Sequence, residues 1–128
     1  DQEVGFAEVV EGGFDWKKVI KKTDYHNLFT ITAGKGSSTI SSLLNRGFLH
    51  DRIEEMKPFF DVIIFDTSPL LIQNKNNIDP VILSLISDMV ILVVRYKHTT
   101  SNQLVQSLQA IPEQREKLKG IVYNQNFA

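Results

Sequence analysis

The sequence predicts an α/β fold, with a mostly parallel sheet of at least four strands and helices on both faces. Short apolar runs recur along the chain, amphipathic stretches separate them, and the runs are continuous instead of alternating with polar residues. Continuous apolar runs are typical of strands that are buried on both faces, as in a parallel sheet. We therefore expect a single α/β domain over residues 1–128, with right-handed strand–helix–strand connections.

Four apolar runs predict the strands, and the stretches around them predict five helices. The strands are expected at residues 28–33, 61–65, 89–95 and 120–123. The helices are expected at residues 4–10, 14–21, 39–57, 78–86 and 101–111. The predicted order is α-α-β-α-β-α-β-α-β, so that helices and strands alternate from the first strand onward.

Particular residues are expected to set the helix ends. Gly47 is expected to break or bend the third helix. Pro58 is expected to end that helix, because the residue before a proline disfavours the helical conformation. Asp79 is expected to be the N-cap of the fourth helix, and Thr99 or Thr100 that of the fifth.

Composition excludes several functional classes. The chain has 128 residues, of which 42% are hydrophobic and 23% charged, and its formal net charge is −1. That balance allows a real core and argues against nucleic acid as the main partner. The absence of cysteine excludes disulfides, cysteine-ligated metal sites and a cysteine nucleophile. No apolar run approaches the ~20 residues of a spanning helix, so we expect no membrane insertion.

The sharpest candidate site follows the second predicted strand. Ligands of such sheets bind beyond the carboxyl ends of the strands. There, Asp66, Thr67, Ser68 and Pro69 follow the apolar run 61–65. One carboxylate at a strand end can hold hydrated Mg²⁺ beside a phosphate. Alternatively, Asp66 caps the turn that follows, as aspartate often does, and the residues alone leave both interpretations open.

The other strand ends carry weaker signals. Residues 34–38 join a strand to a helix but lack the Gly-Lys-Ser/Thr of a P-loop, so a Gly/Ser turn is favoured there. Arg95 and Lys97 are basic residues that could touch a phosphate or simply be solvated. Asn124 follows the last strand, where a side-chain amide can read the edge of a base. The histidines have no metal-ligand spacing.

The segments in order are GFAEVVEGGFDW, LFTITAGKGSSTISSLL, DVIIFDTSPLL, SDMVILVVRYKHTTSNQL and KGIVYNQ. This set resembles the ATPase domain of bacterial tyrosine kinases that act with capsule and exopolysaccharide chain-length proteins. Those kinases belong to the MinD/ParA class of P-loop ATPases. Their pattern has a strand ending in D-T-P-P, then a D-x-V-x-L-V-V-R strand, and a closing G-x-V-x-N. The resemblance covers nearly the whole chain, and its specificity lies in the order of the motifs.

The resemblance implies a nucleotide site. Asp66 would be the Walker B acid that holds Mg²⁺ or positions the attacking group. Thr67 and Pro69 would shape that loop, Asn124 would lie near the adenine, and the cofactor would be MgATP or MgADP. The resemblance also implies a cytoplasmic protein at the inner face of the membrane. Its partner would be a second copy or a membrane-bound polysaccharide chain-length or export protein.

The departures from the family pattern matter as much as the match. The family's Walker A loop lies upstream of its GFAEVV-like helix, so we expect the chain to be a partial or degenerate copy. The D-T-P-P motif is D-T-S-P here, residues 37–39 replace an expected proline, and 74–77 resemble an insertion. The C-terminal tyrosine cluster is missing too. Because the Walker A lysine and amides stabilise the transferred phosphoryl group, we expect no catalysis by this chain alone.

Four functional hypotheses follow. The chain is a regulatory or partner-binding kinase-like unit in exopolysaccharide synthesis, or part of a complete kinase whose P-loop lies upstream. A third is a receiver-type phosphoacceptor, but Gly34-Lys35 and Asn124-Gln125 stand where a receiver needs an acidic pair and a lysine. A fourth is an interaction module without phosphate chemistry. In the family the P-loop strand lies between the second and third strands predicted here, so we expect open sheet edges and self-association or partner binding.

Overall fold

A computed structural model describes residues 4–12, 14–35, 46–72, 78–111 and 115–125. The described residues form two compact units. The first runs from residue 4 to Asp66 and includes Ile78, and the second holds residues 67–72 and runs on from Asp79. Within the described residues, no helix combines the length and the apolar character that crossing a membrane requires.

In its described residues, the first unit has three helices and a short hairpin. Its helices are α1 (Phe6–Val10), α2 (Trp16–Val19) and α3 (Arg46–Met56), and a 3-10 turn (Lys57–Phe59) follows α3. The hairpin pairs β1 (Lys21–Lys22) with β2 (Phe29–Thr30) in antiparallel register. Both N-terminal helices were expected, although α2 is shorter than predicted because the chain passes into β1.

The core of the first unit lies between its helices. Val9, Trp16, Val19 and Met56 form a buried cluster. Leu49 and Ile53 of α3 are buried as well, and with Met56 they recur every three or four residues. This spacing places them on one face of α3, so the helix is held by one apolar stripe.

The second unit is a strand–helix–strand motif preceded by a helix. Its elements are α4 (Pro80–Ile86), β3 (Val90–Arg95), α5 (Ser101–Ala110) and β4 (Leu118–Asn124). Strands β3 and β4 are parallel, and their register ends with Arg95 opposite Asn124. A parallel pair needs a crossover connection, which α5 supplies.

The predicted caps of this unit are confirmed. The Asp79 side chain accepts a hydrogen bond of 2.8 Å from the amide of Val81 at the start of α4. The Thr100 hydroxyl accepts one of 3.2 Å from the amide of Gln103, whose side chain accepts from the Thr100 amide in return. This reciprocal arrangement is a capping box. Of the two candidate threonines, Thr100 is therefore the cap of α5.

The prediction of an α/β fold is confirmed, but the four-stranded parallel sheet is wrong for the described residues. One parallel pair is present, β3 with β4, and the other pair is antiparallel. Residues 61–65 join no ladder, and only Phe29–Thr30 of the run 28–33 is strand. Apolar β-branched runs predict an extended backbone. A sheet needs a neighbouring strand as well, and neither run has a parallel one in the described chain.

The long predicted helix is confirmed in its second half. It is described from Arg46, ends at Met56, and gives way to the 3-10 turn that contains Pro58, as the proline predicts. Residues 39–45 lie outside the described residues. Gly47 stands in the first described turn of α3, so the expected break there stays a prediction.

Candidate functional site

The side chains before Asp66 alternate between covered and exposed, as they do along an extended chain. Ile63 packs against the core cluster of the first unit, and the Phe65 ring lies 6.2 Å from that of Phe6, measured between centroids. Val62 is 72% exposed and Ile64 85%. Successive side chains of an extended chain point to opposite sides. The expectation that this run is buried on both faces is therefore wrong, and its second apolar face is open.

Asp66 itself stands exposed at the end of that segment. Within the described residues, its carboxylate has no hydrogen-bond partner. The turn that follows is closed by a backbone bond of 3.1 Å from the Ile72 amide to the Pro69 carbonyl. The turn-capping interpretation of Asp66 therefore has no support here, and the carboxylate is accessible to an external ligand.

The donor set around Asp66 fits only part of a magnesium–nucleotide site. The described residues contain no group of three or more His, Cys, Asp or Glu side chains able to hold a metal ion. A single carboxylate suits Mg²⁺ when phosphate oxygens and water supply the remaining ligands. Asp66 therefore fits the acidic half of such a site, whereas the phosphate-binding half has no counterpart in the described residues.

The other three predicted site residues belong to the second unit. Thr67 and Pro69 are exposed. Asn124 is exposed at the end of β4, and its carbonyl accepts a bond of 3.0 Å from the amide of Tyr96. Asp66 lies in the first unit, and Thr67, Pro69 and Asn124 lie in the second.

The end of β3 is a tightly turned segment. Lys97 has a left-handed backbone with φ of 57°, and its ammonium lies 5.2 Å from the centroid of the Tyr96 ring. The Thr99 hydroxyl accepts a bond of 3.1 Å from the Arg95 amide. The Tyr96 and Tyr123 rings meet edge to face with centroids 5.7 Å apart. The Arg95 and Lys97 side chains are exposed.

A joint between α1 and the chain after β2 is a feature that the sequence interpretation missed. The Glu8 carboxylate accepts bonds of 2.7 Å from the Gly5 amide and 3.1 Å from the Lys35 amide. The amide of Phe6 donates to the Thr32 carbonyl at 2.8 Å. A backbone amide at the start of α1 thereby finds its hydrogen-bond acceptor in the neighbouring segment. The Gly5-x-x-Glu8 spacing, similar to a capping box, is the signal that could have revealed half of it.

Two glycines make this close approach possible. A Cβ at Gly5 would overlap the Gly34 amide and the Thr32 carbonyl. Gly34 has φ of 80°, and a Cβ there would collide with the Glu8 carboxylate. Gly34 is therefore fixed by packing against α1, and the rest of the Gly/Ser turn expected at 34–38 lies outside the described residues.

Comparison with known proteins identifies the relatives. No protein-family model matches the chain. Tyrosine-protein kinase ptk of Acinetobacter johnsonii is 27% identical over 124 residues, which cover 97% of this chain and 16% of that protein. Tyrosine-protein kinase CpsD of Streptococcus pneumoniae is 28% identical over 120 residues, covering 94% of this chain and 51% of that protein. Tyrosine-protein kinase etk of Escherichia coli K12 is 25% identical over 122 residues, or 95% of this chain and 16% of that protein.

A solved kinase-domain structure has a similar fold. The crystal structure of the VpsO kinase domain superposes with a TM-score of 0.82 at 21% identity, covering 98% of this chain and 60% of that one. The chain spans about half the length of the CpsD relatives and a sixth of the longer kinases. The resemblance that the ordered motifs predict is confirmed: over nearly its whole length, this chain is homologous to a part of bacterial tyrosine-protein kinases.

Proposed function

We propose that the chain is a partial, P-loop-type tyrosine-kinase domain of exopolysaccharide or capsule synthesis, which acts as a regulatory or partner-binding unit. One observation carries the proposal. The match to tyrosine-protein kinases runs over 94–97% of the chain, yet no Gly-Lys-Ser/Thr loop occurs in its 128 residues. The lysine and amides of that loop neutralise the phosphates in such enzymes. Residues 1–128 therefore form one piece of a kinase-type domain without the phosphate cradle.

Within that piece, Asp66 is the Walker B-type acid. Its carboxylate is exposed and has no hydrogen-bond partner in the described chain, which leaves it accessible to a hydrated Mg²⁺. Thr67 and Pro69 shape the loop after it, and Asn124 is the adenine-side residue. When bound, MgATP or MgADP would supply the phosphate oxygens that complete the magnesium shell.

The test of this function is phosphoryl transfer by the purified chain. With radiolabelled ATP and magnesium, we expect neither ATP hydrolysis nor phosphate incorporation on tyrosine. The matched control is the Asp66→Ala chain, which should behave identically. Turnover by the unmodified chain that disappears in Asp66→Ala would show a working active site and overturn the proposal.

The second candidate function is that of a complete MgATP-dependent kinase whose P-loop precedes this segment. The matches cover 94–97% of this chain but only 16–51% of the relatives. This difference supports the alternative as well as it supports the first proposal. The upstream coding sequence distinguishes the two, since a Gly-Lys-Ser/Thr motif after a predicted strand would establish the complete enzyme. In that longer protein, Asp66→Asn should abolish phosphoryl transfer.

The partner-binding role rests on open apolar faces. In the first unit, Val62 and Ile64 are exposed on the extended segment before Asp66. In the second, Ile91 and Val93 of β3 are 51% and 59% exposed. Exposed apolar surface of this kind marks sites of contact with other chains. A second copy, or a membrane-bound polysaccharide chain-length or export protein, would cover them.

Sedimentation velocity tests the association. The unmodified chain should form a dimer or larger species, and Ile64→Lys should shift it toward monomer without loss of stability, since that side chain is already 85% exposed. Phe48→Lys is the matched control, because Phe48 is 58% exposed on α3 of the same unit. A chain that sediments as a 14.6 kDa monomer at high concentration would rule out self-association.

A further inference from the structure

Four exposed lysines fall within six consecutive residues, 17–22, of the first unit. Lys17 and Lys18 belong to α2, and Lys21 and Lys22 form β1. All four side chains are exposed. We call the surface made by these lysines and the rings of Trp16, Phe29, Phe59 and Phe60 the lysine–aromatic patch.

Aromatic residues lie beside two of these lysines, Lys17 and Lys22. The Lys17 ammonium lies 4.7 Å from the centroid of the Phe59 ring and 5.6 Å from that of Trp16. Lys22 stands opposite Phe29 across the hairpin. Phe60 contacts both Trp16, at 5.8 Å between centroids, and Phe29, at 5.9 Å. Because Phe59 is 57% exposed and Phe29 38%, the patch presents both positive charge and apolar ring surface.

The positive charge of the patch is only partly balanced. Two acids stand beside the lysines in sequence, Asp15 and Asp24. Asp15 accepts a bond of 3.0 Å from the Lys17 amide and so serves as the cap of α2. The ion pairs of the described chain join other residues. A chain with a net charge of −1 thus carries a local cationic surface, and such local fields act on nearby anions.

We propose that the lysine–aromatic patch binds the surface of an anionic phospholipid membrane. Clustered lysines are attracted to acidic headgroups, and aromatic side chains favour the headgroup level of the bilayer. Nucleic acid fits the patch less well. Bases stack on open ring faces, whereas Lys17 lies over the Phe59 ring and the remaining rings meet edge to face. The binding is adsorption at the surface and involves no spanning segment.

Vesicle co-sedimentation tests the proposal with the full chain. The vesicles are an equal mixture of phosphatidylglycerol and phosphatidylcholine, or phosphatidylcholine alone. Neutralising three patch lysines (Lys18→Gln, Lys21→Gln, Lys22→Gln) should lower the partition coefficient on the anionic vesicles about 100-fold. The matched control removes the same charge elsewhere, at exposed lysines outside the patch: Lys35→Gln, Lys97→Gln and Lys119→Gln. It should bind nearly as well as the unmodified chain.

Three outcomes would overturn the proposal. Equal loss in the two triple variants would show that net charge and not the patch decides binding. Equal binding to phosphatidylcholine alone would exclude recognition of anionic lipid. Tighter binding to heparin or duplex DNA, lost in the same patch variant, would assign the patch to a soluble polyanion. If the patch variant failed to fold, the salt dependence of vesicle binding by the unmodified chain would be measured instead. Near 1 M salt the Debye length is about 3 Å, so the chain should dissociate from the anionic vesicles.

Discussion

Gly5→Ala is expected to damage the first unit through the joint between α1 and the chain after β2. The new methyl group would overlap the Gly34 amide and the Thr32 carbonyl, which are backbone atoms that cannot rotate away. The start of α1 must then move off that segment. Two backbone bonds hold it there, 2.8 Å from Phe6 to Thr32 and 3.0 Å from Ala7 to Ala33.

The expected loss is large for a single methyl group. Overpacking in a well-filled site costs about 1–3 kcal/mol. Two hydrogen bonds contribute about 1 kcal/mol each, so the free energy of unfolding should fall by about 3–5 kcal/mol in all. Because small domains have only about 5–15 kcal/mol of stability, the variant should be severely weakened.

Urea unfolding followed by tryptophan fluorescence measures this loss. The chain has one tryptophan, Trp16, which is 6% exposed in the core of the first unit. The matched control is Gly12→Ala in the same unit. Gly12 has φ of 98° but open space around its Cβ position, so only about 1–2 kcal/mol of backbone strain is expected. Equal urea midpoints for Gly5→Ala and Gly12→Ala would contradict the prediction that the contact between α1 and the chain after β2 stabilises the first unit.

Three further predictions concern single side chains. The Thr32 hydroxyl is buried without a partner among the described residues, so Thr32→Val should raise the free energy of unfolding by about 1 kcal/mol, measured in urea. The Lys57 side chain, by its hydrogen bond and its charge, holds the pKa of Glu54 below its ordinary value, with a smaller contribution from His50. That stabilising contribution is present above the unfolded-state pKa and disappears as the pH falls through the lowered one. Lys57→Gln should therefore raise the pKa of Glu54 in a carboxyl NMR titration, and an unchanged value would contradict the pairing. Asp66→Asn should change the free energy of unfolding, measured in urea, by less than about 0.5 kcal/mol, because the carboxylate is exposed and has no hydrogen-bond partner among the described residues. A larger loss would support a role as a cap.

Local signals in the sequence predicted the second unit well. Asp79 and Thr100 cap their helices as expected, because a side-chain oxygen at a helix start acts within three residues. The runs of β3 and β4 pair in parallel around α5. Such short-range rules need no knowledge of distant parts of the chain.

The sheet was harder to predict because pairing depends on distant strands. Residues 61–65 are apolar on both faces, which is typical of a central strand. Of the side chains in this run, Ile63 and Phe65 are covered by the first unit, whereas Ile64 remains exposed. A pattern can show that a face is suited to burial, but it does not show that the covering element lies in the same chain.

The candidate site could be predicted only in part, because it too depends on contacts between distant parts of the chain. The position of Asp66 at the end of an extended segment follows from the apolar run before it, and its exposure is observed. The joint at Glu8 was not predicted from the sequence, because it links α1 to Lys35 across a separation of 27 residues. The lysine–aromatic patch escaped because Lys17 and Phe59 meet only through the fold.

Calorimetric titration of the 128-residue chain with MgADP tests the central claim most directly. The claim is that the chain carries the acidic half of a kinase nucleotide site, represented by Asp66, without the half that cradles phosphates. The account predicts no saturable heat, in the unmodified chain or in Asp66→Asn, because one carboxylate does not hold a nucleotide without lysine and amide donors. Saturable micromolar binding that Asp66→Asn weakens would contradict it, since the chain would then contain a complete site.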